Sequence, residues 1–147
     1  MYKRILVATD GSKLSKKAVD HAIDLADLTG AEVVALKVVP KYPQTYFEGG
    51  VAVEAKEVAK IEQQWVAEAQ EAVNAVQALG QKRQVKVKPM TVKSDLVAEA
   101  IISAAKRSKS DLVVMASHGR KGIKRLLLGS ETQHVLTHSH IPVLVLR

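Results

Sequence analysis

Four short apolar runs, Ile5-Leu-Val-Ala-Thr9, Glu32 to Val39, Leu112 to Ala116 and Val143 to Leu146, constrain what this chain can fold into more than any other feature. Each is too short for a core helix, rich in β-formers, and bounded by turn residues or proline. A strand that is apolar at successive positions is buried on both faces, the situation of a strand in a parallel sheet. Parallel strands need crossover connections, and the intervening stretches supply them at helical spacing. Lys13 to Thr29 repeats Leu14, Ala18, Ala22, Leu25 and Ala26 before Gly30. A longer helix, from about Val53 to Leu79, aligns Val58, Ile61, Trp65, Ala69, Val73 and Val76 and is expected to stop at Gly80. Gln84 to Val92 alternates apolar residues with lysines around Pro89, as an edge strand does. Ser94 or Asp95 is placed to cap a helix carrying Val97, Ile101, Ala104 and Ala105. Five strands alternating with four helices predict an α/β fold, an open doubly wound parallel sheet spanning residues 1–147 as one domain.

In such a sheet, ligands bind beyond the carboxyl ends of the strands, where the strand order reverses. Asp10, Val38 to Pro40 and Ser117 to Gly119 all fall at those ends. The segment from Asp111 to His134 carries the densest chemistry: a strand, a loop with Gly119, Gly122 and the cations Arg120, Lys121, Lys124 and Arg125, then Gly129-Ser130 opening a helix. Backbone N–H groups and positive potential at a helix start suit a phosphate. Ser130-Glu-Thr-Gln133 matches a capping box, in which Ser130 and Gln133 satisfy donors at that start. Neither G-x-x-x-x-G-K-[ST] nor G-x-G-x-x-G occurs, so the two commonest phosphate signatures are excluded.

Composition narrows the function classes. Lysine and arginine outnumber acids by 22 to 15, and the excess gathers at Lys82 to Lys88, Lys106 to Lys109 and Arg120 to Arg125, which favours anionic partners. Aromatics are only 3% of the chain, so there is no platform for stacking nucleobases, and nucleic acid is an unlikely partner. The absence of cysteine removes disulfides and thiolate chemistry. The apolar run Ile5 to Ala8 is too short for a signal peptide, and no stretch reaches the ~18 apolar residues of a membrane span, so a cytoplasmic protein is expected. His134 and His138, four apart with His140 near, permit zinc by spacing, yet histidines at a helix C-terminus are explained by the macrodipole. A receiver domain needs paired acids after the first strand and an aspartate after the third, whereas here Asp10 stands alone and Val92-Lys93-Ser94 follows the third.

Ser-His-Gly119, nine further residues and Gly129-Ser130, together with Ile-Leu-Val-Ala-Thr-Asp-Gly-Ser at the start and Ile-Pro-Val-Leu-Val-Leu at the end, closely resemble the universal stress protein family over the whole chain. The resemblance is to its ATP-binding branch. It implies a Rossmann-like sheet of order 3-2-1-4-5, and an adenine nucleotide, ATP with Mg²⁺ as companion. It implies nucleoside contacts from Ala8, Asp10 and Val38, and a phosphate cradle from Ala116, Ser117, Gly119, Gly129, Ser130 and Glu131. Asp10 is the residue placed to meet a metal ion, with an Asx turn to Ser12 as its structural alternative. The implied role is a binding module in signalling or protection. A non-nucleotide stress protein acting through partners is the alternative, and a slow ATPase using His118 is a further one. The last strand, wholly apolar, predicts a homodimer through its edge.

One position departs from the branch. Its cradle begins with glycine, and here Ala116 stands in that place. Either the backbone needs positive φ, at a cost of about 1–2 kcal/mol for alanine, or the methyl group meets the phosphate directly.

Overall fold

The structure is a computed structural model in which residues 1–41, 55–119 and 128–147 are described. Five parallel strands, β1 (Arg4–Ala8), β2 (Glu32–Val39), β3 (Val87–Lys93), β4 (Leu112–Ala116) and β5 (Val143–Leu146), form one sheet of order β3-β2-β1-β4-β5. Four helices connect them: α1 (Lys13–Thr29), α2 (Ala55–Lys82), α3 (Val97–Arg107) and α4 (Ser130–His138). Most of the long irregular stretch Lys41 to Gly50, together with Arg120, Lys121, Gly122, Lys124 and Arg125, lies outside the described residues. No described helix is long and apolar enough to cross a membrane.

The continuous apolar runs are explained by two cores back to back. Successive strand side chains point to opposite faces. Ile5, Val7, Val33, Ala35, Leu112 and Val114 therefore pack against α1 and α2 on one side. Leu6, Val34, Leu36, Val113 and Met115 meet Ala98, Ile101, Ala104 and Val135 of α3 and α4 on the other. Burying each such aliphatic side chain fully contributes roughly 1.5–3 kcal/mol. β3 and β5 stand at the edges, β3 accommodating Pro89 opposite Ala35.

Two expectations about helix ends are corrected. Gly80 does not stop α2: it is buried inside the helix, where a Cβ would lie 2.3 Å from Val87 Cγ2 and 2.8 Å from the Val85 carbonyl oxygen. It is glycine so that β3 can approach. The helix runs to Lys82 and is terminated by Gln84, in the left-handed region at φ 58°, with Val85 N–H donating to Gly80 O at 2.9 Å and Gln84 N–H to Gln81 O at 3.2 Å, a Schellman pair. Nor does Ser94 or Asp95 occupy the cap of α3, which is Leu96. Ser94 Oγ accepts from Leu96 N–H at 3.1 Å, and Asp95 accepts from Lys41 N–H at 2.9 Å.

Candidate functional site

Strand order reverses between β1 and β4, and the residues leaving these two strands face each other there. On the β1 side, Thr9 N–H donates to Leu36 O at 2.9 Å, and buried Thr9 Oγ1 lies 3.2 Å from buried Ser15 Oγ. Ser12 Oγ caps α1 by accepting from Ser15 N–H at 3.2 Å. Asp10 Oδ1 accepts from Ser12 N–H at 2.9 Å, so the Asx turn is formed. The second carboxylate oxygen, Oδ2, lies on the Gly119 side. A Cβ built on Gly119 would lie 2.7 Å from Asp10 Oδ2. Both expected roles of Asp10 are thus compatible, one oxygen fixing the turn while the other borders the cleft.

Ala8 and Val38, on neighbouring strands, project from the same sheet face and sit half-buried beside the Leu36 and Met115 cluster. Ala8 is in register with Leu36, two residues before Val38 on β2. Val38 is in register with Val92 of β3.

On the β4 side, α4 is pinned to the strand exit. Ser117 is buried; its N–H donates to Leu146 O at 2.7 Å, and its carbonyl receives Gly129 N–H at 2.8 Å. A Cβ on Gly129 would press to 3.2 Å from that carbonyl and 3.4 Å from His118 Cα. Gly129 therefore permits close approach of helix to strand. Thr132, 2% exposed, donates Oγ1–H to the carbonyls of Ala116 and Ser117, at 3.0 and 3.1 Å. His118 Nδ1 lies 3.1 Å from Ser117 Oγ.

The capping box does not form. Because Gly129 is drawn against Ser117, α4 begins one residue early with Gly129 as its cap, and Ser130 becomes the first helical residue. Among the described residues no side chain caps this helix start, and Gln133 Nε2 turns back to Leu128 O at 2.9 Å. Ser130 is exposed at the mouth of the gap. The Glu131 side chain points elsewhere: Oε2 accepts from Ala98 N–H at 3.2 Å and so caps α3. A phosphate contact from Glu131 is thereby reduced to its backbone N–H, which also spares a bound anion a neighbouring carboxylate.

Several contributors were not read from the sequence. Thr9, Ser15 and Thr132 fix the two loops yet never face the gap. Thr132 carried a usable signal, since it lies three residues before buried Val135 and so shares the inward stripe of α4. Among the described residues no group of three or more histidine or acidic side chains is gathered as a metal site. His134 and His138 stack with ring centroids 4.2 Å apart, and His138 Nδ1 lies 3.0 Å from His134 O. A Mg²⁺ ion held by Asp10 would need phosphate oxygens to complete its shell, an ordinary arrangement for this cation.

Comparison with known proteins agrees with this architecture. The universal stress protein family model matches residues 1–147. The chain belongs to the universal stress protein family. Its relatives include universal stress protein MJ0531 of Methanocaldococcus jannaschii, 36% identical over all of this chain and 83% of that one. The solved structure of MJ0577 from the same organism is 31% identical, covers 99% of this chain and 96% of that chain, and superposes with a TM-score of 0.79. A universal stress protein solved in complex with cAMP is 25% identical, covers 99% of this chain and 97% of that chain, and gives a TM-score of 0.72.

Within this universal stress protein, the departure at Ala116 takes a definite form. Ala116 is the last residue of β4, in register with Leu146, and the described non-glycine residues with positive φ are Gln84 and Lys109 alone. The alternative of a strained backbone at Ala116 is therefore removed. What remains is the methyl group itself, half-buried at the strand end.

Proposed function

We propose that this universal stress protein binds an adenine nucleotide, ATP together with Mg²⁺, in the gap between the β1 and β4 exits. One arrangement carries the reading: the start of α4, with no side-chain cap among the described residues, is seated on the β4 exit at Gly129, and Gly119 beyond that exit lies against Asp10. A helix start with free N–H groups attracts phosphate, and glycines let a ligand reach the backbone. The complex of a relative with cAMP supports the same ligand class. In this reading Ala8 and Val38 floor the adenine slot, while Asp10 receives ribose hydroxyls or Mg²⁺. Ser117, Gly119, Gly129, Ser130 and the Glu131 backbone hold phosphate beside Ala116. The single domain acts in the cytoplasm as a signalling or protective binding module. It pairs as a homodimer through β5, whose outer edge is unpaired among the described residues and whose Leu144 is exposed.

Nucleotide analysis after denaturing the purified protein, followed by titration with Mg-ATP, tests the proposal. Retained adenine nucleotide or saturable binding supports it; neither, up to about 1 mM, rejects it. The second reading, a partner-binding protein without nucleotide, rests on the Ala116 methyl. Ala116→Gly separates the two: a gain of about tenfold or more in affinity means that the methyl had been closing the cradle.

A further inference from the structure

At the opposite end of the sheet, where the strands begin, a cleft of about 590 Å³ opens between the C-terminus of α3 and the β2–β3 edge. Its charged lining is Arg4, Glu32, Lys86, Lys88, Arg107 and Lys109, five cations against one carboxylate. The acids nearby are committed. Glu32 is shared by Lys86 and Arg4, each at 3.1 Å, and their pull holds its carboxyl below the ordinary value, Lys86 contributing most. Asp111 accepts the backbone N–H groups of Lys3 and Arg4 at 2.8 and 3.1 Å. Lys88, Arg107 and Lys109 form no ion pair among the described residues.

The backbone positions that carry these cations are fixed by the fold. Arg4 also donates to Ser108 O, joining β1 to the end of α3. Lys88 is in register with buried Val34, which puts it on the α3 side of the sheet, where α3 packs over β2. Lys109 takes φ 56°, locked by Ser110 N–H to Ala105 O at 2.9 Å and its own N–H to Lys106 O at 3.1 Å. Arg107 and Lys109 gain something from the dipole of α3. Lys88, on a strand, does not. A concave site lined by one sign of charge concentrates counter-ions.

We propose that this cleft is a second anion site, taking a compact ligand with several phosphate groups. Its volume falls in the range of small-molecule pockets. None of its lining residues is aromatic, so recognition is of phosphate charge and not of a stacked base.

The test is an amide chemical-shift titration of the full chain with inorganic tripolyphosphate at about 0.15 M salt, where bare surface attraction is strongly screened. Saturable shifts are expected at Arg4, Lys88 and Lys109, with apparent Kd below about 1 mM. The combined variant Lys88→Gln, Arg107→Gln, Lys109→Gln alters exposed side chains only and is expected to weaken these shifts about tenfold. Non-saturating shifts, equal binding by the variant, or shifts confined to Gly119, Gly129 and Ser130 would overturn the proposal. A mixed-sequence DNA duplex is expected to bind more weakly per site; tighter binding by the duplex would replace the compact ligand with nucleic acid and so also overturn it.

Discussion

Asp10 and Gly119 close the gap between β1 and β4 so tightly that a methyl group on Gly119 would sit 2.7 Å from Asp10 Oδ2, while Oδ1 is already held by Ser12 N–H at 2.9 Å. Any withdrawal of the carboxylate shifts Oδ1 relative to Ser12 N–H as well, since the two oxygens move as one rigid group. Gly119→Ala therefore displaces either Asp10 or the loop from its place. Gly119 is exposed, so the fold is expected to survive. Mg-ATP affinity is expected to fall about tenfold or more, on the order of 1.4 kcal/mol. Calorimetric titration checks it, and an unchanged affinity would remove Gly119 from the site.

Thr132 joins α4 to the β4 exit through one buried hydroxyl shared by two carbonyls. Replacing it with valine keeps the shape and leaves those carbonyls short of a donor, a loss of about 1–3 kcal/mol. Thr132→Ser keeps the hydroxyl and loses only a methyl, about 0.5–1.5 kcal/mol by analogy with single-methyl deletions. Urea unfolding of the two variants separates the hydrogen bond from packing. A valine variant no less stable than the wild-type protein would show that the shared hydroxyl contributes nothing and that packing alone holds α4 here.

The fold was legible because double burial writes itself directly into sequence. Ile5 to Ala8 and Leu112 to Ala116 are apolar at every position, since alternate residues serve two different cores. Lys13–Thr29 and Glu32–Val39 were readable to the residue, their ends being set by local turn chemistry. The location of the candidate site was legible as the strand exits that converge where the strand order reverses. Its internal geometry was not. Ser130 reads locally as a cap, but the pull of Ser117 O on Gly129 N–H moves the cap by one residue. Glu131 serves α3, a tertiary contact that no local pattern encodes. Gly80 looks like a helix stop and is a contact point for Val87.

The end of α2 supplies a prediction of opposite signs at two positions. Gly80→Ala, normally helix-stabilising, drives a methyl into Val87 and the Val85 carbonyl. Overpacking of this kind costs typically about 1–3 kcal/mol. Gln84→Gly relieves a left-handed residue worth about 1–2 kcal/mol of strain, partly offset by glycine entropy, so a gain of roughly 0.5–1 kcal/mol is expected. Thermal unfolding of both variants is the check. A stabilised Gly80→Ala protein would mean that Gly80 is an ordinary helix position after all.

Glu32 contributes to the acid limb of stability. The Lys86 ammonium hydrogen-bonded to it, and the Arg4 guanidinium after that, lower its folded pKa below the unfolded value. The unfolded chain then binds the proton more readily, so stability rises with pH through this interval. The contribution is complete above the ordinary carboxylate range and is lost as pH falls through the folded pKa. Because the pair is exposed, its size shrinks with added salt. Comparing the wild-type protein with Glu32→Gln by urea midpoint across pH 2 to 7 isolates the effect. The wild-type advantage is expected to be present near neutrality and to disappear at the acid end. An advantage that persists unchanged to the lowest pH would assign it to packing of the Glu32 stem and not to its charge.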